Sequence, residues 1–291
     1  MALFLVSFIY AITFSLAKDV MPEYIRGFGF IVLRVSGATI LFGIASLFAK
    51  NEKVNWKLHG PRILLCSVLG VMANMLMFFK GLEITTPING AVLMLATPIF
   101  VLVLNSIINK QAILISQFAG IILACIGCIF LMSGRGFSFN ATTMPGDILV
   151  LINAIFYAGY LVFAKELFNH YHTLTVSKYT FLFGAILVIP FGWGELREAR
   201  FEAMDAEIIA KILFVIVFTT FVTYLLNAWA ILKAGPTLVG AYIYLQPILA
   251  AIIAILLKKD ELNMQKILAI LLIFAGVFIT STKTKWYKSK A

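Results

Sequence analysis

Apolar runs long enough to cross a bilayer recur along the whole chain, with short polar breaks between them. They place spans near 2–20, 27–49, 61–80, 84–107, 113–132, 146–166, 174–192, 210–230, 235–257 and 265–282. A hydrocarbon core about 30 Å thick takes roughly 20 helical residues, the length of these runs. Helices are predicted because lipid offers no partner to an open backbone, and the runs lack the strict alternation of a membrane barrel. Met21-Pro22-Glu23, Lys50-Asn51-Glu52-Lys53, Gly60-Pro61-Arg62, Ser133-Gly134-Arg135-Gly136 and Pro145-Gly146-Asp147 supply the turn and charge signals between runs. The longest polar stretch, Glu195 to Lys211, is expected to form a short interfacial helix. No break is long enough to hold a soluble domain. The first run, Ala2 to Ala17, lacks a basic leading segment and a cleavage site, so it reads as a span rather than a removable signal.

The chain also resembles itself. At an offset of 149, Pro87 maps to Pro236, Pro98 to Pro247, Lys110 to Lys259 and Gly127 to Gly276. "PINGAVLMLATPIFVLVL" thereby aligns with "PTLVGAYIYLQPILAAII". At 147, Tyr10-Ala11 maps to Tyr157-Ala158, Ala17-Lys18 to Ala164-Lys165, and Gly37-Ala38 to Gly184-Ala185. The expected organisation is two five-helix repeats, residues 1–140 and 141–291, the second ending in a short basic tail. Five is odd, so the second repeat should sit upside down relative to the first. Inverted repeats of this kind belong to carriers that open alternately to the two sides of a membrane.

Composition narrows the solvent. The 291 residues are 62% hydrophobic and 12% charged, against about 45–50% and 25% in soluble domains; mean hydropathy is +1.01. The net charge of +10 does not signal nucleic acid, because the cations lie between apolar runs and in the tail (Lys283, Lys285, Lys288, Lys290), where anionic headgroups are the partners. If both termini are cytoplasmic, that side holds 12 of the 23 Lys and Arg and the other side 10, with Arg34 inside a span. The second-to-third loop and the tail tip the orientation toward termini inside. Cys66, Cys125 and Cys128 all lie in apolar runs. The C-x-x-C spacing of the latter two has no second pair or nearby histidine to complete a site, so packing is their expected role.

These residues are similar to the ten-helix EamA-type family of the drug/metabolite transporter superfamily. "YAITFSLAK" supplies its aromatic-small pair as Tyr10-Ala11 and its span-ending Lys18. "VLRVSGA" supplies Arg34. The family's run of small residues, Pro, apolar stretch, charged turn and Gly occurs twice, at Ala91–Gly127 and Gly240–Gly276, and "GDILVLINAIFYAGYLVFAKEL" resembles the opening of its second half. Lys110-Gln111 stands where the family often has Gly-Glu, and Tyr10-Ala11 where it usually has Trp-Gly. The resemblance covers essentially the whole chain. It implies export or exchange of small metabolites, often amino acids or related compounds, by alternating access through a central cavity. It implies no bound cofactor, and it implies a prokaryotic cell (inner) membrane.

Polar side chains inside spans are the candidates for that cavity. They are Asn74, Asn89, Thr97, Asn153, Tyr157, Thr223, Asn227, Trp229, Tyr242, Tyr244 and Gln246, with Tyr160 and Tyr224 on the same spans. The plainer role of any single Thr or Asn is a hydrogen bond between helices, worth about 0.6–2 kcal/mol, and tyrosines can anchor at the interface. Lys18, Arg34, Lys80, Pro98, Lys165 and Pro247 are read as gating or structural. Arg34 lies roughly 10 Å into its span, Lys18 and Lys165 occupy matching span ends, and the matched prolines predict paired bends. Small residues in the fifth span (Gly120, Ala124, Gly127) and the tenth (Ala269, Gly276) suit scaffold or dimer contact. The acids Glu83, Asp147 and Glu166 fall near span ends, which favours facilitated diffusion or exchange over obligate proton antiport. A lipid-linked substrate flippase is the alternative, and would need a cavity open sideways. His59, His170 and His172, read as loop residues, match no metal spacing, and no nucleotide loop or nucleophile elbow is present, so an enzyme is not expected; nor is a channel, for want of a filter-like loop.

Overall fold

The computed structural model describes residues 2–48, 52–85, 87–132, 141–256 and 264–281, and every regular element among them is helical. In chain order these are α1 (Ala2–Val20), α2 (Gly27–Leu47), α3 (Trp56–Ile84), α4 (Pro87–Met94 and Thr97–Asn109), α5 (Ile115–Met132), α6 (Met144–His170), α7 (Thr173–Arg197), α8 (Ala206–Ala234), α9 (Pro236–Ala241 and Leu245–Leu256, joined by a tight turn at Tyr242–Tyr244) and α10 (Met264–Ser281). Seven of them, α2, α3, α4, α6, α7, α8 and α9, are long and apolar enough to cross a membrane. The apolar stretches of α1, α5 and α10 among the described residues are shorter. The outer surface is greasy: Phe48 is 88% exposed, Ile115 86%, Leu47 80% and Phe278 69%. Water would not tolerate so large an apolar exterior, whereas lipid does.

Local features of the first half recur in the second. The third helix of each half begins on a side-chain cap: Asn55 Oδ1 accepts from Leu58 N at 3.3 Å, and Asp205 Oδ1 from Ile208 N at 2.8 Å, satisfying donors that a helix start leaves open. Each of those helices widens near its middle into a π-helical turn, Val68–Met72 and Val215–Val222. A turn closed five residues back leaves carbonyls out of line, and side chains take them up. Tyr224 Oη donates to Gly70 O at 2.8 Å and Thr220 Oγ1 to Val215 O at 2.9 Å. The fourth helix of each half breaks just ahead of its matched proline, at Leu95–Ala96 and at Tyr242–Tyr244, because a proline offers no amide to the carbonyl four residues back. The two breaks meet, and Tyr244 Oη donates to Leu95 O at 3.0 Å.

Packing follows the same exchange. α5 packs on α10 and α2 on α7, each against its own counterpart. α3 meets α6 as α8 meets α1, α4 meets α6 as α9 meets α1, and α2 meets α8 as α7 meets α3. Glycines set the closest approaches. Matched Gly37 and Gly184 seat Ile216 and Val71 from the opposite half's wide turn. Gly120 and Gly276 bring the backbones of α5 and α10 together, so these small residues are used within the chain.

Two local expectations are revised. Glu195–Lys211 holds no separate interfacial helix. α7 runs on to Arg197, a single 3₁₀ turn follows at Phe201–Ala203, and α8 starts at Ala206. Glu195 is drawn inward, its Oε2 accepting from Phe28 N at 2.7 Å and Gly29 N at 3.2 Å at the start of α2, where a helix end favours an anion. The histidines sit at helix ends rather than in free loops: His59 is buried in the first turn of α3, 2.9 Å from Tyr171 Oη, His170 closes α6, and His172 caps α7. Asp147 is near a helix end but 3% exposed.

Asp147 joins the two halves. Its carboxylate accepts from Thr85 Oγ1, from Asn89 Nδ2 at 3.1 Å and from Thr143 Oγ1 at 3.3 Å. Removing the acceptor takes a buried partner from each of these donors, and loss of a buried hydrogen-bond partner typically costs about 1–3 kcal/mol. Asp147→Ala is therefore expected to lower the thermal unfolding midpoint of the purified protein in detergent, and Asp147→Asn to lower it less. Equal midpoints for Asp147→Ala and the parent protein would show that the cluster contributes nothing.

Candidate functional site

A cavity of about 110 Å³ lies between the halves. α1 contributes Tyr10, Thr13 and Ala17, α2 Arg34, and α3 Asn74, Met75, Phe78, Phe79 and Leu82. Met94 comes from α4, Asn153 and Tyr157 from α6, Thr219 and Tyr224 from α8, and Ile243 and Gln246 from α9. α5 and α10 contribute no lining residue among those described. A second hollow of about 10 Å³ lies toward the start of α1, lined by Leu3, Val6, Ser7, Asn227, Val239 and Tyr242, and by Tyr10, Tyr157, Ile243 and Gln246, which the two share. The first is roomy enough for several waters or a small solute, the second for about one water. Tyr10 and Tyr157, matched in the sequence, thus stand together on the wall that the two hollows share.

Hydrogen bonds fix the walls. The Thr13 and Thr219 hydroxyls meet at 2.7 Å across the α1–α8 seam. Thr223 Oγ1 lies 3.4 Å from Tyr10 Oη, and Asn227 Nδ2 donates to Tyr157 Oη at 3.4 Å. Asn153 Nδ2 donates to Asn74 O at 2.7 Å, while its buried Oδ1 has no donor among the described residues. On the narrow side, Ser7 Oγ reaches Tyr242 O at 3.0 Å. Aromatic rings back the polar groups: Tyr157 stacks on Tyr160 at 6.2 Å between centroids, and Tyr224 meets Phe181 edge-on at 4.7 Å.

Arg34 is the one charged residue in the described lining and is 7% exposed. Its Nε donates to Thr220 Oγ1 at 2.6 Å, within the wide turn of α8, and its guanidinium carbon lies 5.9 Å from the Phe79 ring centre.

Of the residues singled out in the sequence, Arg34, Asn74, Asn153, Tyr157, Tyr224, Asn227, Tyr242 and Gln246 line one hollow or both. The others lie elsewhere. Asn89 serves the Asp147 cluster. Thr97, fully buried, and Tyr244 lie at the joint where the broken helices meet. Thr223 is buried behind Tyr10, and Trp229 is 52% exposed on the outside. Pro98 and Pro247 border the breaks. Lys80 pairs with Glu83 at 2.9 Å near the end of α3, and Lys165 is half-buried in the last turns of α6. The Lys18 side chain, the Ser133–Gly136 turn and the tail lysines fall outside the described residues. Tyr10, Thr13 and Thr219 were missed as lining residues. For Tyr10 a signal existed, since its repeat partner Tyr157 was a candidate.

The family model described as "EamA-like transporter family" matches residues 1–133 and 144–282. An "uncharacterized transporter" of Archaeoglobus fulgidus is 27% identical over 233 residues, covering 78% of this chain and 79% of that protein. The "uncharacterized transporter YyaM" of Bacillus subtilis is 24% identical over 280 residues, covering 92% and 88%. A solved crystal structure superposes with a TM-score of 0.78 at 15% identity over 96% of this chain and 94% of that one, a likeness of fold alone.

Proposed function

Because the chain belongs to the EamA-like transporter family, we propose that it is a secondary transporter that exports or exchanges small metabolites, amino acids or related compounds, by alternating access. The observation that carries this reading is the cavity between the halves, narrowed by the repeat-related pair Tyr10 and Tyr157. An element order that repeats, and a packing pattern unchanged when the halves are exchanged, support ten passes as two inverted repeats, 1–140 and 141–291. With an odd number of passes per repeat, the exchange also swaps the two membrane faces, so opening one end and closing the other are equivalent packings. Apolar helices and family membership make the chain an integral multi-pass membrane protein. We place it in a prokaryotic inner membrane with both termini cytoplasmic.

Reconstitution into liposomes with a panel of labelled amino acids and related metabolites tests this. Saturable uptake of at least one compound is expected. Asn227→Ala and Tyr242→Ala each lower it several-fold, because both side chains line the narrow hollow, and the first also loses its bond to Tyr157. Lipid scrambling with no solute uptake would favour the flippase and defeat the carrier.

A further inference from the structure

A guanidinium held out of water is costly, by several kcal/mol for an unpaired ion, and proteins do not shed its proton. Arg34 is so held, yet no carboxylate lies within 4.0 Å of it among the described residues, and the described cavity lining contains neither Asp nor Glu. Its Nε is taken by Thr220. No protein acceptor among the described residues takes its two terminal amino groups, which leaves four N–H donors in a fixed plane beside the cavity. The Phe79 ring, 5.9 Å away, does not neutralise the charge. The Asn74 and Gln246 amides, which also line the space, can orient a ligand but bring no charge.

We propose that the cavity takes a small organic anion bearing one carboxylate in excess of any cationic group, with Arg34 as the fork that holds it. This rests on the carrier reading and narrows its substrate class. A planar guanidinium matches a carboxylate with two parallel hydrogen bonds. One cation balances one carboxylate, whereas a phosphate monoester brings about −1.5 to −2 at pH 7 and would leave negative charge uncompensated. A zwitterion adds an ammonium that finds no acid here, and a cation meets repulsion.

The test uses compounds that share a skeleton and differ in charge. The probes are 4-methyl-2-oxopentanoate, 4-methylpentanamide, leucine and leucinamide, each titrated against the purified full chain in detergent while its thermal unfolding midpoint is followed. The anion is expected to act at concentrations about tenfold below leucine, with the neutral amide weaker still and leucinamide inert. Arg34→Lys, which keeps the charge and loses the fork, is expected to weaken the anion's effect about tenfold and to elute as the parent does. Should Arg34→Lys fail to fold, the charge series on the parent protein decides alone. Equal response to anion and amide, no response to any of the four, or an Arg34→Lys titration matching the parent would overturn the assignment. Saturable liposome uptake of a neutral or cationic compound, with no anion preference, removes the Arg34 site and leaves the carrier. An anion that binds but is never carried removes the carrier and leaves the site.

Discussion

Gly276→Leu is expected to lower the thermal unfolding midpoint of the purified protein more than any substitution in the cavity. A Cβ at this position would stand 2.5 Å from Ala124 N and 2.5 Å from Gly120 O. Both are backbone atoms, so no side chain can rotate away. α10 and α5 would have to separate along their length, and that seam is among the most extensive helix pairs of the described residues. Overpacking against movable neighbours costs about 1–3 kcal/mol, so the cost against fixed backbone is set at about 3 kcal/mol or more. Gly43→Leu is the control, because nothing lies within 4 Å of a Cβ there. It is expected to match or exceed the parent, since leucine favours a helix over glycine by up to about 1 kcal/mol. Equal midpoints for the two variants would mean that the α5–α10 seam is not a close-packed one.

Gln246→Trp is expected to cut transport about a hundredfold while leaving a folded, monodisperse protein. Gln246 is half-buried and borders both hollows. An indole there projects into a space of about 110 Å³ at the point where it narrows to about one water's width. Gln246→Asn keeps the amide and shortens the side chain, and is expected to fall only a few-fold. Initial rates of uptake into liposomes measure both. Undiminished uptake by Gln246→Trp would place the pathway elsewhere.

Helix positions were legible because lipid fixes how long an apolar helix must be, and the matched prolines and glycines stood out because they sit where backbone geometry or contact requires them. Pro98 and Pro247 border the breaks, and Gly37 and Gly184 each seat a side chain from the opposite half's wide turn. The wide turns of α3 and α8 left no mark, since no residue type encodes an extra residue in a helical turn. Glu195 shows why a polar stretch misleads. Its carboxylate serves the start of α2, so its polarity answers a buried helix end rather than the membrane surface. The cavity was half legible for a related reason. A polar residue within a span faces either a hollow or a neighbouring helix, and the pattern along one helix does not say which. Asn74 and Asn89 look alike in sequence; one lines the cavity, the other hydrogen-bonds Asp147. Tyr10 and Tyr157 were best told by their kinship, because what borders the space in one half tends to border it in the other.

The wide turns at Val68–Met72 and Val215–Val222 are places where α3 and α8 could change register without breaking. Each holds more residues per turn than the ladder above and below it. Drawing one residue out of the turn restores ordinary winding and swivels everything beyond it by about 100°. In α3 what swivels is the segment from Asn74 to Leu82, and in α8 the segment from Tyr224 to Asn227. A different set of side chains can then be dealt into the passage while both helices stay unbroken and every backbone amide keeps a partner away from water.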